Sequence, residues 1–459
     1  MLRVEHPKDL QSLIPAVERV FQLSGQKLLN LNKTWNPSKG SPVFTVAGEY
    51  TSRGWTEWTQ GFQFGSAILQ YDVSGEKEFL TMGRDGTLKE MPRHVSHVGV
   101  HDHGFNTMST CGNLLRLVRE KKIPYDEWEK NFYELAIKVS GAVQASRWTD
   151  IGENQGFICS FNGPHSLFAD TIRSLRVLAV AHQLGHVLMG EKDKRINLLE
   201  RLLQHAETTA RFNVYFGEGR DSYDVRGRVA HESIFNTNDG SYRCPSSQQG
   251  YSAFSTWTRG LAWILLGYAE EIEFLSSLSE DDLAPFGGSD RILGAFHTVA
   301  RATADFYIGY TSTDGIPYWD TGAPGLARLG NYLERPAEPF NDQEPVDSSA
   351  AAIAAQGLIR LGNVLLKKGD QSSGNVYLQA GLAVAARLFE EPYLSIDPKH
   401  QGLILHSVYH RPNGWDYIPP GRKIPCGEST MWGDYHAREL GLLILRMAKR
   451  EPYFTFFLK

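Results

Sequence analysis

Cysteine is scarce: four residues in 459, Cys111, Cys159, Cys244 and Cys426, with no C-x-x-C spacing. Neither a disulfide framework nor a thiolate metal site is expected from them. Long apolar runs are also lacking, none approaching the roughly 20 residues that a membrane-spanning helix needs. The opening stretch, MLRVEHPKDLQSLIPAVERV, carries charges where a signal peptide needs its apolar core. A cytoplasmic, unexported protein with no membrane partner is therefore expected. A large excess of one charge is missing as well. A formal net charge of −5 argues against binding a polyanion through bulk electrostatics, so no nucleic-acid partner is expected.

What is present is ordinary globular composition, 41% hydrophobic and 22% charged, with apolar residues recurring at helical spacing. The pattern predicts helices near Leu10–Leu23, Trp58–Tyr71, Gly104–Arg119, Tyr125–Ala145, Leu167–Leu184 and Arg195–Phe212. It continues through Phe254–Phe274, Arg291–Ile308, Ser348–Leu366, Ser373–Phe389 and Met431–Ala448, with no convincing β-alternation between them. Helices of similar length recurring about every 30 residues suit a closed ring of helical hairpins. The expected fold is all-α: one (α/α)6 barrel over residues 1–459, twelve helices in two concentric layers. Long aromatic-rich loops, 30–58, 149–165, 216–255, 311–345 and 402–432, are expected to gather at one mouth and build a site.

Several stretches carry residues suited to chemistry. In GYSAFSTWTRGLAWILLGYAEE, residues 250–271, Trp257, Arg259 and Trp263 sit where a helix begins. Aromatic plates beside a guanidinium fork describe a pocket for an acidic sugar, although tryptophans in a core and a salt-bridged arginine would leave the same pattern. Trp58, in GWTEWTQGFQFG, suits stacking on a sugar face or plain packing. Asp102 lies between His101 and His103 at a predicted helix start, where a capping role is the simplest alternative to a pocket carboxylate. Asp170, in SLFADTIRSLRVL, lies among Phe168, Ile172 and Leu175. Burial there would raise its pKa toward the range of a general acid, unless it turns outward to Arg173 or Arg176. His231 and Gln249 are possible hydrogen-bond partners for a polar ligand, and Asp347 reads as a helix cap. Trp415, Trp432 and Tyr435 add to the aromatic inventory.

Metal binding is not expected. His182 and His186 are four apart, but Gln183 stands where a zinc-protease helix needs a glutamate. The cluster His94, His97, His101 and His103 matches no metal-ligand spacing.

Together, HDHGF, SLFADTIRSL, QQGYSAFSTWTRGLAW, DSSAAAIAAQGL, YHRPNGW and ESTMWGDY resemble, in order and rough spacing, the unsaturated glucuronyl hydrolases of glycoside hydrolase family 88. The resemblance runs from about Trp55 to Tyr435. It implies an (α/α)6 barrel, no cofactor or metal, and an oligosaccharide substrate bearing a C4=C5 unsaturated glucuronyl residue at its non-reducing end. The implied reaction protonates C4, adds water at C5 and lets the hemiketal collapse. By the same resemblance Asp170 matches the general acid/base and Asp102 the second essential carboxylate. Arg259 and Trp263 match positions that hold the uronate, Gln249 the HQGY glutamine, Trp58 an aromatic of the WTxGF segment, and His231 a loop histidine. The chain departs from the commoner family pattern at HDHGF, where HHD followed by an aliphatic residue is usual, and at QQGYSAFS, where HQGYSDES is. A toroidal glycosidase of saturated glucuronides or unsaturated rhamnogalacturonides, and a non-catalytic carbohydrate-binding toroid, are the alternatives that the residues leave open.

Overall fold

The computed structural model describes residues 1–4, 7–54 and 57–457; Trp55, where the resemblance begins, lies outside them. Six helices with few exposed side chains form an inner wall. They are Gln60–Ser74, the run 103–119, the run 171–183, Thr258–Leu275, Ser348–Lys367 and Met431–Ala448. Each packs on the next, and the last returns to the first. Six others, Ile14–Thr34, Lys77–Glu90, Glu127–Ser146, Leu198–Asn213, Ser289–Tyr310 and Gln371–Leu388, lean on the wall from outside. The result is the expected (α/α)6 barrel. An inner helix is covered on both sides, which is why Ser348–Lys367 can be built of alanine, leucine and isoleucine. This corrects the expectation that no run approaches spanning length. That helix is long and apolar enough to cross a membrane by composition, yet 89% of its most apolar stretch is buried in the barrel.

Other expectations also change. Lys77–Glu90 is a helix that the apolar pattern did not predict. Short strands exist: nine among the described residues, in four small antiparallel sheets. One of them, Ser166–Phe168, replaces the start of the helix predicted over Leu167–Leu184. The helix Arg176–Gln183 ends before His186, so His182 and His186 do not share a helical face.

Charged side chains cross the interior between inner helices. Arg173 pairs with Glu270 at 2.8 Å and Glu439 at 3.0 Å, and Arg176 approaches the same two carboxylates at 3.7 and 3.5 Å. Arg360 joins Glu273 at 2.6 Å. These pairs tie four of the six inner helices together. They also commit both arginines that could otherwise have drawn Asp170 outward.

Candidate active site

At one end of the barrel a pocket of about 650 Å³, its open mouth included, is lined by Trp58, His101, Asp102, Phe161, Asp170, Gln248, Gln249, Trp257, Arg259, Trp263, Tyr409, His410 and Trp415, among others. Four of the five long loops contribute. The fifth acts from behind: Asp320 accepts the backbone N–H of Tyr251 at 2.8 Å, and Trp319 O accepts that of Thr258 at 3.1 Å.

The two aspartates meet because two chain turns touch. Ser166–Phe168 pairs antiparallel with Glu232–Phe235, and Ala169 N–H continues the pairing to His231 O at 2.8 Å. The chain then turns into the helix Thr171–Ser174, leaving Asp170 at the junction rather than inside a helix. Against that turn lies the entrance to the run 103–119. Gly104 N–H donates to Ser174 Oγ at 2.9 Å, and Ser174 Oγ lies 2.9 Å from His101 O. A Cβ on Gly104 would sit 1.9 Å from Ser174 O, so only glycine permits this approach. Asp102 and Asp170 both occupy helix N-cap positions, yet neither side chain caps. Asp347 does, accepting the Ser349 N–H at 3.1 Å. The aspartates' oxygens are thus kept for something else.

That something includes His101. Its Nε2 lies 3.5 Å from Asp102 Oδ1 and 3.5 Å from Asp170 Oδ1, so the two carboxyls are separated by no more than twice that distance. All three residues are buried. Burial alone would lower the His101 pKa, but the two carboxyls beside it raise it above the ordinary imidazole value. Burial raises Asp102, with the Asp170 charge adding and His101 opposing. Burial would raise Asp170 too, but the imidazole of His101, with His231 behind it, prevails and holds this carboxyl below its ordinary range. This corrects the expectation that apolar surroundings would make Asp170 the proton-holding carboxyl. In the unliganded protein Asp102 is thus the carboxyl biased toward holding a proton, and Asp170, beside His101, is the one biased toward its anion.

Arg259 has less to give a ligand than the sequence suggests. Its Nη1 donates to Asp347 Oδ2 and to Val408 O, both at 2.6 Å. Its Nη2 donates to Tyr409 O at 2.7 Å and to Gln249 Oε1 at 3.2 Å. The four terminal N–H groups are thereby committed, and the guanidinium lies over Trp257 and Trp432, 4.6 and 5.0 Å from the ring centroids. Because Gln249 accepts through Oε1, its amide N–H₂ is the end left for the pocket. Arg259 therefore latches Gln249 and the 408–410 loop, whose backbone is also held by Asp416.

His231 does not line the pocket. It stands behind the wall, where Nδ1 accepts the backbone N–H groups of Gln248 and Gln249 at 3.0 and 3.3 Å. Burial lowers its pKa. Trp58 stacks on Trp432 at 5.1 Å, and Trp263 packs on Phe105 at 5.0 Å, giving the floor its aromatic plates. His410 is neutral, its pKa lowered to about 4 by burial with Arg259 nearby.

Sequence comparison finds similar proteins over most of the chain. An unsaturated glucuronyl hydrolase of Formosa agariphila is 24% identical over 390 residues, 83% of this chain and 78% of that one. The chain is similar in sequence to unsaturated glucuronyl hydrolases. An unsaturated chondroitin disaccharide hydrolase of Streptococcus pyogenes serotype M1 is 23% identical over 421 residues, 90% of this chain and 87% of its own. The crystal structure of the unsaturated glucuronyl hydrolase of Bacillus sp. GL1 superposes with a TM-score of 0.68 at 22% identity, covering 95% of this chain and 97% of that one. No family model matches the chain. Against these relatives the fold is shared, while the identity is low enough that the site must be argued from its own geometry.

Sequence reasoning missed the place of His101, setting it aside within a histidine cluster that matched no metal. A buried histidine immediately before a pocket aspartate was the available signal.

Proposed function

We propose that this protein removes the C4=C5 unsaturated glucuronyl residue from the non-reducing end of lyase-generated oligosaccharides, by hydrating the vinyl ether. The observation that carries the reading is the single imidazole placed 3.5 Å from two buried carboxyls inside an aromatic-walled pocket. Protonating an enol ether needs an acid beside C4, and adding water at C5 needs a base on the same face. Asp170 serves both: His101 passes it a proton, Asp170 delivers that proton to C4, and the water attacking C5 returns one to Asp170. Transfer within the pair exchanges two buried charges for two neutral groups; burial favours that exchange and the attraction between the two groups opposes it. Asp102, the carboxyl that burial biases toward its protonated form, holds the substrate by hydrogen bond. The Gln249 amide donates to the sugar, and Trp58 and Trp263 pack against its faces. The hemiketal formed at C5 opens and releases the remaining saccharide. The names of the relatives support the same reaction class.

The test is to incubate the protein with unsaturated disaccharides from several polysaccharide lyases and with their saturated counterparts, following the enol absorbance. Only the unsaturated set should be consumed; turnover of the saturated set alone would overturn the reading. Repeated across pH, the rate should fall as pH rises through the elevated His101 pKa, because an unprotonated imidazole cannot recharge Asp170.

A further inference from the structure

The loop that joins Gln249 to Trp257 has both feet in the pocket and an exposed aromatic apex. Phe254, 45% exposed, stacks on Tyr223, 50% exposed, with ring centroids 4.7 Å apart and planes 27° from parallel. A half-exposed aromatic pair beside a pocket offers a surface on which a sugar ring can stack. The platform is held in place before any ligand arrives. Tyr251 N–H is fixed by Asp320 at 2.8 Å, Phe254 N–H by Ser252 Oγ at 3.0 Å and Thr256 N–H by Thr321 Oγ1 at 3.0 Å. On the Tyr223 side, Asp224 accepts the N–H groups of Gly217 and Arg220, each at 2.8 Å. Three Cα steps separate Phe254 from Trp257, so the apex stands within about 11 Å of the pocket wall, the reach of one or two pyranose units. Ala253 and Phe254 are also where QQGYSAFS departs from the commoner family pattern.

From this we infer a distal subsite: the Tyr223–Phe254 platform stacks against a pyranose of the leaving saccharide one or two units beyond the unsaturated residue, making this an enzyme for oligosaccharides longer than a disaccharide. The inference rests on the reaction proposed above. It commits to the leaving saccharide as occupant because the loop that carries Phe254 joins two pocket-lining residues, Gln249 and Trp257, and so places the platform beside the pocket.

The deciding experiment compares an unsaturated disaccharide with the unsaturated tetrasaccharide of the same repeat, in the wild-type protein and in Phe254→Ala, Tyr223→Ala and Phe254→Trp. Loss of either ring should raise KM for the tetrasaccharide roughly five- to ten-fold while leaving both kinetic constants for the disaccharide unchanged. Phe254→Trp should retain the tetrasaccharide preference. Equal effects on the two substrates, or none, would overturn the subsite. So would a fall in particle mass on Phe254→Ala without any length dependence, which would make the platform a contact between copies of this chain. If the wild-type protein turns over neither substrate, the proposed reaction itself fails and the subsite falls with it. Turnover without length discrimination removes the subsite alone.

Discussion

Asp170→Asn is expected to lower the rate of enol consumption by roughly 10²–10⁴-fold, the usual worth of a positioned proton-transfer group. The substitution keeps the shape of the side chain and removes its ability to carry the proton between His101, 3.5 Å away, and the substrate. It should leave the fold intact for a reason visible in the site. With the Asp170 charge gone His101 loses one of the two carboxyls that raise its pKa, and burial pushes the imidazole toward its neutral form. No unpaired buried charge is stranded. Circular dichroism and thermal unfolding matching the wild type, alongside lost turnover, is the expected pair of results. Wild-type turnover in the variant would remove Asp170 from the mechanism.

Glu439→Gln should do the reverse, costing stability rather than chemistry. Glu439 is the carboxylate that Arg173 and Arg176 share, at 3.0 and 3.5 Å, and it also accepts from Tyr435 Oη at 2.9 Å and Gln356 Nε2 at 3.2 Å. Its pKa is held below the ordinary range despite complete burial, so it is charged at neutral pH. Glu270, facing the same arginines, is raised to about 7 by burial and so offers them only a partial charge at neutral pH. A guanidinium has no such escape. Removing the one firmly ionised partner leaves buried positive charge uncompensated, a situation that costs about 3–5 kcal/mol. Urea unfolding followed by tryptophan fluorescence would read this as a large shift of the midpoint with little change in slope. An unshifted midpoint would mean that the network does not hold the inner helices together.

The sequence and the structure agree where information is local. Inner helices such as Thr258–Leu275 and Met431–Ala448 announce themselves because burial on both sides demands unbroken apolar spacing, and the Asp347 cap is legible from its own side chain. Lys77–Glu90 was hidden because it is an outer helix carrying Gly83 and Gly86, which let Ile68 and Phe64 of the neighbouring inner helix pack close and blur the apolar period. The strand Ser166–Phe168 is three residues long, and what makes it a strand is a partner more than sixty residues away. The site divides the same way. Asp102, Asp170, Trp58, Trp263 and Gln249 could be named from motifs and do line one pocket. The direction of each carboxyl's pKa could not, because it depends on a histidine whose position is set by Gly104 against Ser174. Nor could the commitment of Arg259, whose carbonyl partners, Val408 and Tyr409, come from a loop some 150 residues later.

Carrying out the reaction in deuterium oxide tests the central claim most directly, since that claim is that one positioned acid adds a proton to C4. The product should carry deuterium on one face of C4 only, formed at the rate at which the enol absorbance is lost. Release of the unsaturated uronic acid with its double bond intact, or deuterium spread equally over both faces, would contradict it.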